Sequence, residues 1–332
     1  MNVPPTDGIR VPVEDLRQLV AAIFGSVPIP EEHARLVADL LIDTELRGVV
    51  SHGVRAVERY VRSYQEGSMN PRPEVRVLRE GPATAALSGD GGLGMMVATR
   101  AMEMAILKAE DLGVGVVTTT YHDHVGSSGK YVRMALKKGL IGISLSGRSA
   151  MPEYDLSHTI HGSIQGSPPL AFGMPAGEGK PEFLLDLSSA TPWDDECFRR
   201  MPQVFIKAIG IAHVANILSG TLGGQMLPEF DRRTVDFSGA NQSGFHMALD
   251  VESFTDPSAF KADMDHLMTA ASSMKPLPGF DESSLPGGRA WKKEREYLGD
   301  GIPISAATVD SLSGLAAELG LSLPSSCSRE ES

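Results

Sequence analysis

Cysteine is nearly missing from this chain. Cys197 and Cys327 stand far apart in its 332 residues, which rules out a disulfide framework and a CxxC metal site. Basic charge is in deficit as well: 30 Lys and Arg face 42 Asp and Glu, for a formal net charge of -12. Nucleic acid and anionic membrane are therefore not expected as partners. No apolar run reads as long enough to span a bilayer, and Met1 to Asp7 form a loose tail without a charged region followed by an apolar one. The HExxH of zinc proteases and the GxSxG elbow of hydrolases are absent too. With 42% hydrophobic residues and length for two domains or one large interleaved one, the expectation is a cytoplasmic enzyme or binding protein.

What is present centres on Leu46 to Tyr60, where Ser51-His52-Gly53 separates two amphipathic segments. The spacing of Val54, Val57, Val61 and Tyr64 predicts a helix from His52 onward, with Arg59 and Arg62 off the apolar stripe. On such a helix His52 and Arg55 share a face. An imidazole that moves protons near neutral pH, beside a fixed cation, suits a small acid. The plainer reading is an ordinary helix start, with Ser51 as cap and His52 at the surface.

Val13 to Gly25 and Glu31 to about Leu46 read as helices, the second opened by Pro30 and two acids. Val75 to Leu78 and Ala83 to Leu87 alternate as strands. A long helix, Met95 to Asp111, leads to a buried strand, Gly113 to Thr120. Helix Tyr131 to Lys138 and strand Leu140 to Leu145 complete a strand–helix–strand unit of an α/β layer. Residues 148 to 182 read as loops, Phe183 to Leu187 as a strand with an acid buried in it, and Val204 to Leu218 as an apolar helix. Phe245 to Leu249 is a strand; Pro257 to Ser272 and Ala306 to Leu319 are helices, with a disordered tail after Gly320.

Three motifs invite chemistry. Gly89-x-Gly91-x-x-Gly94 has dinucleotide-fingerprint spacing, but Glu110 and Asp111 fall before the second strand, so the acid that should meet the ribose is misplaced. These glycines read as a tight turn. Gly126-Ser127-Ser128-Gly129-Lys130 could bind an anion at a helix start, yet Tyr131 stands where a Walker loop needs Ser or Thr. His122-Asp123-His124 has no third metal ligand at hand. His124 reads better as an acid/base or substrate contact at a strand end.

Several segments, taken in order, resemble the malate/L-lactate dehydrogenases of the second type. They are Leu46-Arg47-Gly48 with Ser51-His52-Gly53 and Tyr60; Gly89-Asp90 to Gly94; His124 to Gly129 with Tyr131; Gly139 to Ile143; Pro169 to Phe172; and Leu285-Pro286-Gly287 with Gly301-Ile302-Pro303. The family includes ureidoglycolate and sulfolactate dehydrogenases, diketogulonate reductase and piperideine-2-carboxylate reductase. The resemblance implies NADH- or NADPH-dependent reduction of a 2-oxo acid or cyclic 2-imino acid. It implies a non-Rossmann α/β fold whose cofactor-side sheet is largely antiparallel, at 76–254. A helical substrate and dimerisation layer, 1–75 plus 255–332, completes a homodimer. By motif, His52 would be the proton donor, His124 the second acid/base or substrate contact, and Ser51 would orient the pocket. Arg55 or Arg148, with Tyr60, would bind the substrate carboxylate. Ser146, Leu185, Asp186, Leu187, Ser188, Lys207, Gly287, Gly288 and Arg289 would hold the cofactor, with no metal.

Departures from the pattern gather on the cofactor side. The family's Arg four after the His falls on Ala56, with Arg55 one residue early. Its Gly-Thr-Asn-Pro reads Gly166-Ser167-Pro168-Pro169, its Thr-Asn-Ser reads Ser146-Gly147-Arg148, and its Lys-Gly-Tyr-Gly reads Lys207-Ala208-Ile209-Gly210. Its Pro-Gly-Glu reads Pro286-Gly287-Gly288, and the segment from Asp186 to Lys207 is short. Hence a second reading stands beside the first: a descendant without the nicotinamide, using its histidines for isomerisation, cyclisation, elimination or decarboxylation.

Overall fold

A computed structural model describes residues 4–148, 156–164, 167–189, 194–230 and 235–327; Gly166 of the Gly-Ser-Pro-Pro motif lies outside them. The chain divides into two compact units, one of Met1–Pro73 with Met268–Ser332 and the other of Glu74–Leu267.

The first unit begins with a short strand β1 (Ile9–Val11), then α1 (Val13–Gly25) and α2 (Glu31–Leu46). Each helix follows a proline and carries two acids in its first turn, which suits the positive end of the dipole. Leu16, Leu19, Val20 and Ile23 of α1 are buried, as are Val37, Leu40 and Leu41 of α2. Two single 3-10 turns, Val50–His52 and Val54–Ala56, precede α3 (Val57–Gln65).

The second unit holds β2 (Arg76–Glu80), β3 (Thr84–Ser88), α4 (Gly94–Leu112), β4 (Val114–His122), α5 (Gly129–Leu136), β5 (Ile141–Gly147), β6 (Pro169–Met174) and β7 (Phe183–Ser188). It continues with α6 (Asp195–Arg200), α7 (Pro202–Asn216), β8 (Gln242–Leu249) and most of α8 (Pro257–Ser272). One seven-stranded sheet runs in the order β2-β3-β4-β8-β5-β6-β7. β3 and β4 are parallel, joined by α4 as the crossover that parallel pairing requires. Every other neighbouring pair is antiparallel. The sheet is thus largely antiparallel and not Rossmann, as the resemblance implied.

Buried Val97, Ala101, Met102 and Ala105 of α4 pack with Leu87, Val117 and Tyr131. A second cluster joins Leu145, Leu170 and Phe245 with Ala215 of α7. At its far end α7 passes into a π turn, Ile217–Thr221. Together, Pro202–Thr221 is long and apolar enough to cross a membrane by length and composition, with 33% of its most apolar window buried. The expectation that no run reaches that length fails here.

The chain then returns to the first unit with α9 (Gly288–Asp300), β9 (Ile302–Ile304) and α10 (Ala306–Glu318). β9 pairs antiparallel with β1, Ile9 opposite Ile304. Sequence periodicity had suggested neither α9 nor this two-stranded sheet. In place of a tail wholly without order, Ser325–Cys327 forms a 3-10 turn with Cys327 buried.

The packing of α4 on β4 depends on Gly115, where a Cβ would overlap the Ala105 carbonyl oxygen. Gly115→Ala should lower the urea midpoint, with a loss of about 1–3 kcal/mol typical of overpacking.

Candidate functional site

The Ser51-His52-Gly53 turn is built on Glu45, in the last turn of α2. This carboxyl is 2% exposed, and its Oε1 accepts the Val54 amide at 2.8 Å. It also presses on Gly53, where any side chain would overlap it. Gly53 takes φ -93° and ψ -140°, which no helix accommodates. The helix expected from His52 is therefore broken, and α3 starts at Val57. His52 and Arg55 sit on separate turns, so the shared helical face does not form. Burial raises the Glu45 carboxyl to about 7, with the Val54 amide pulling the other way.

Ser51 Oγ lies 2.8 Å from His52 Nδ1. With the hydroxyl oxygen accepting, Nδ1 carries a proton and Nε2 is left to gain or lose one, a tautomer inferred from this bond. Arg55 is exposed and lines a pocket with Glu45, Val50 and Ser305; His52 is not among the lining residues. Tyr60 is wholly buried, with the Arg59 guanidinium 4.7 Å from its ring centre. Its place is in the core.

In the second unit His124 is half-buried just past β4. Its amide donates to Asp123 Oδ1 at 2.7 Å, and its Nδ1 accepts the Gly126 amide at 3.1 Å. His122 is fully buried. Its Nδ1 donates to the Asp123 carbonyl at 2.7 Å, and Thr119 Oγ1 donates to its Nε2 at 2.8 Å. Burial lowers it to about 4. No cluster fit for a metal occurs among the described residues. His246, on β8, was not anticipated. It is buried edge-on to Tyr131, 3.2 Å from Ser144 Oγ, with Nε2 unpartnered. Burial, then the nearby His122, lowers it to about 3.

The expected cofactor residues are scattered in state. Ser146 Oγ donates to the Ser243 carbonyl at 2.9 Å. Asp186 is exposed on edge strand β7 rather than buried in it. Its Oδ2 accepts the Gly129 amide at 3.0 Å, so the helix start read as an anion site already holds a carboxylate. Desolvation by the surrounding protein raises its carboxyl to about 6, opposed by that amide and Lys130. Leu185 and Leu187 are half-buried beside it, and Ser188 is exposed. Lys207 is exposed on α7. The Arg148 amide donates to Asn216 Oδ1 at 2.9 Å. Gly287, Gly288 and Arg289 lie in the other unit, at the start of α9, with Arg289 3.4 Å from Glu282 and 5.0 Å from the Phe280 ring centre. The Gly89–Gly94 turn packs on its own chain, since a Cβ at Gly94 would overlap the Asp123 carbonyl.

The sequence profile of the malate/L-lactate dehydrogenase family matches residues 11–193 and 199–313. The chain is 32% identical to malate dehydrogenase of Pyrococcus horikoshii, covering 94% of this chain and 96% of that one. It is 28% identical to the ureidoglycolate dehydrogenase (NAD(+)) of Escherichia coli O157:H7, over 89% and 93%. The solved structure of the Pyrococcus horikoshii malate dehydrogenase superposes with a TM-score of 0.83 at 29% identity, covering 97% and 99%.

Glu45 makes stability depend on pH. Its folded value of about 7 lies above the 4.5 of a free carboxyl, so the native state holds the proton more tightly. That stability is complete below about pH 4.5 and is lost as pH rises through about 7, on the order of 3 kcal/mol in all. Melting temperatures across this window should fall more steeply for the wild type than for Glu45→Gln, which has no proton to lose. Parallel curves would remove Glu45 as the source.

Proposed function

The chain belongs to the malate/L-lactate dehydrogenase family, and we propose that it interconverts a small 2-oxo acid, or a cyclic 2-imino acid, with its reduced form, using a nicotinamide cofactor. The observation that carries this reading is the Ser51–His52 pair, 2.8 Å apart, within a chain that the family profile matches almost end to end.

The chain's own groups decide where a cofactor fits. Both glycine turns are taken up by the chain itself, Gly94 packed on the Asp123 carbonyl and the helix start at Gly129 holding the Asp186 carboxylate. Asp186, however, is an exposed residue whose Oδ1 has no hydrogen bond among the described residues, which suits a ribose hydroxyl. Lys207, exposed and unpaired among the described residues, suits a phosphate. These two fit the group and are the residues we assign to it; Ser146 and Arg289 are engaged with Ser243 and Glu282. When bound, the cofactor supplies or accepts a hydride at the carbon beside the carboxylate. His52, protonated on both nitrogens, delivers its Nε2 proton to the oxygen or nitrogen on that carbon, and the neutral ring takes it back at Nε2 in the reverse direction. Ser51 Oγ accepts from Nδ1–H and so leaves Nε2 as the atom that exchanges the proton. His124 serves as the second acid/base or substrate contact.

The occupied glycine turns favour one competitor, proton chemistry without nicotinamide. A titration with NADH and NADPH, followed by fluorescence and thermal shift, separates the two: micromolar binding of either is expected, and none at millimolar cofactor overturns the redox reading. Under it, His52→Gln should slow turnover about a hundredfold or more; near-normal turnover would remove His52 from its role.

We place the enzyme in the cytoplasm as a homodimer. Val204, Ile206, Ile211, Val214 and Ile217 stand exposed along α7 and its π turn, a patch typical of a protein contact. Light scattering should return twice the 35.4 kDa of one chain; a monomer at micromolar concentration contradicts this.

A further inference from the structure

His124 stands on a stretch of chain whose course no regular strand would take. The pairing of β4 with β8 slips between Thr119 and His122, and a slip of this kind re-aims the side chains beyond it. Tyr121, inside the slip, has φ 52°, a left-handed backbone that bulky residues rarely adopt. Such strain persists only where its surroundings hold it.

Two features hold this course, and neither has a part in the reaction proposed above. One is the glycine turn with fingerprint spacing. The Gly89 amide donates to the Thr120 carbonyl at 2.9 Å, and the Gly91 amide to the Tyr121 carbonyl at 3.0 Å. The Gly92 carbonyl accepts the Asp123 amide at 2.9 Å. Gly94 closes against the Asp123 carbonyl, where a Cβ would overlap it and crowd His122 Nδ1. The other feature is the wholly buried ring of His122, which spans two partners. Nδ1 donates to the Asp123 carbonyl at 2.7 Å, and Nε2 accepts the Thr119 hydroxyl at 2.8 Å. The tautomer follows from the carbonyl, which can only accept. A neutral imidazole offers one donor and one acceptor on opposite sides, as this place requires.

Asp123 passes the restraint on. Its Oδ1 accepts the His124 amide at 2.7 Å, and His124 Nδ1 accepts the Gly126 amide at 3.1 Å. An imidazole bound in that way exchanges its proton at Nε2. We infer that His122 is a positioning residue for the proposed reaction: with the Gly89–Gly94 turn it clamps the Asp123 peptide, and through that peptide it fixes the place and the tautomer of His124. The inference rests on the acid/base or substrate role proposed for His124.

NMR of the full chain labelled with ¹⁵N-histidine reads the tautomer without substrate or cofactor; the signals lost in His124→Gln assign that ring. The wild type should show His124 as one tautomer, protonated at Nε2. His122→Asn keeps an N–H where the ring has Nδ1 and should do the same. His122→Leu has no donor there and should show both tautomers in exchange. Should melting curves show His122→Leu unfolded, Gly94→Ala displaces the same carbonyl and takes its place. A single Nε2-protonated tautomer in the folded variant overturns the inference. In the reduction of oxaloacetate or pyruvate by NADH or NADPH, His122→Leu should lose about tenfold to a hundredfold in kcat/KM, and His122→Asn should recover most of it. His124→Gln separates this claim from the one beneath it. Slow turnover in His124→Gln with normal turnover in His122→Leu overturns the positioning role alone. Normal turnover in both removes the role of His124, and this inference with it.

Discussion

A buried carboxyl under a backbone turn is the constraint on which the first unit's chemistry rests. Glu45 is shut away from water, and its one hydrogen bond among the described residues comes from the Val54 amide. Ionised, it would be a buried charge without a counter-ion, which proteins avoid by holding the proton. Neutral, it supports Gly53 from below and keeps the chain from winding into a continuous helix. The Ser51–His52 pair therefore sits on a short, broken turn, where the imidazole is presented rather than absorbed into a helical face.

The second unit solves the opposite problem. Its sheet carries a polar centre, with Thr119, Ser144, Ser146, Ser243, His122 and His246 all buried. Hydroxyls, rings and nearby backbone carbonyls pair there, His246 Nε2 excepted, and burial lowers the pKa of both imidazoles. Protonating them opposes folding as pH falls below their ordinary 6.5, whereas ionising Glu45 opposes it as pH rises. The molecule thus carries pH penalties of both signs, one in each unit.

Much of this was legible in the sequence. The bounds of α1, α2 and α8 follow from proline, acid and apolar spacing; the non-Rossmann sheet was implied by the family resemblance, in agreement with a fingerprint whose acid is misplaced. The helix through His52 was misread because periodicity sees Val54, Val57 and Val61 but not a carboxyl from another helix. The signal was nonetheless there: Glu45 falls four residues after buried Leu41, on the apolar face of α2. Asp186 was expected inside its strand, but strand order puts β7 at the sheet edge. Local spacing does not encode strand order. Tyr60, named for the substrate, obeys the helical stripe and goes to the core.

The position of β8 has a consequence for synthesis. β4 and β5 each pair with it along one whole side, yet β5 ends at Gly147 and β8 begins at Gln242. At ordinary elongation rates the ribosome takes roughly 5–20 s to cover that gap. For that interval two long strands have a bare edge each and no mate between them. Such edges recruit other chains, so the nascent protein's dependence on chaperones should peak before β8 emerges, well ahead of release.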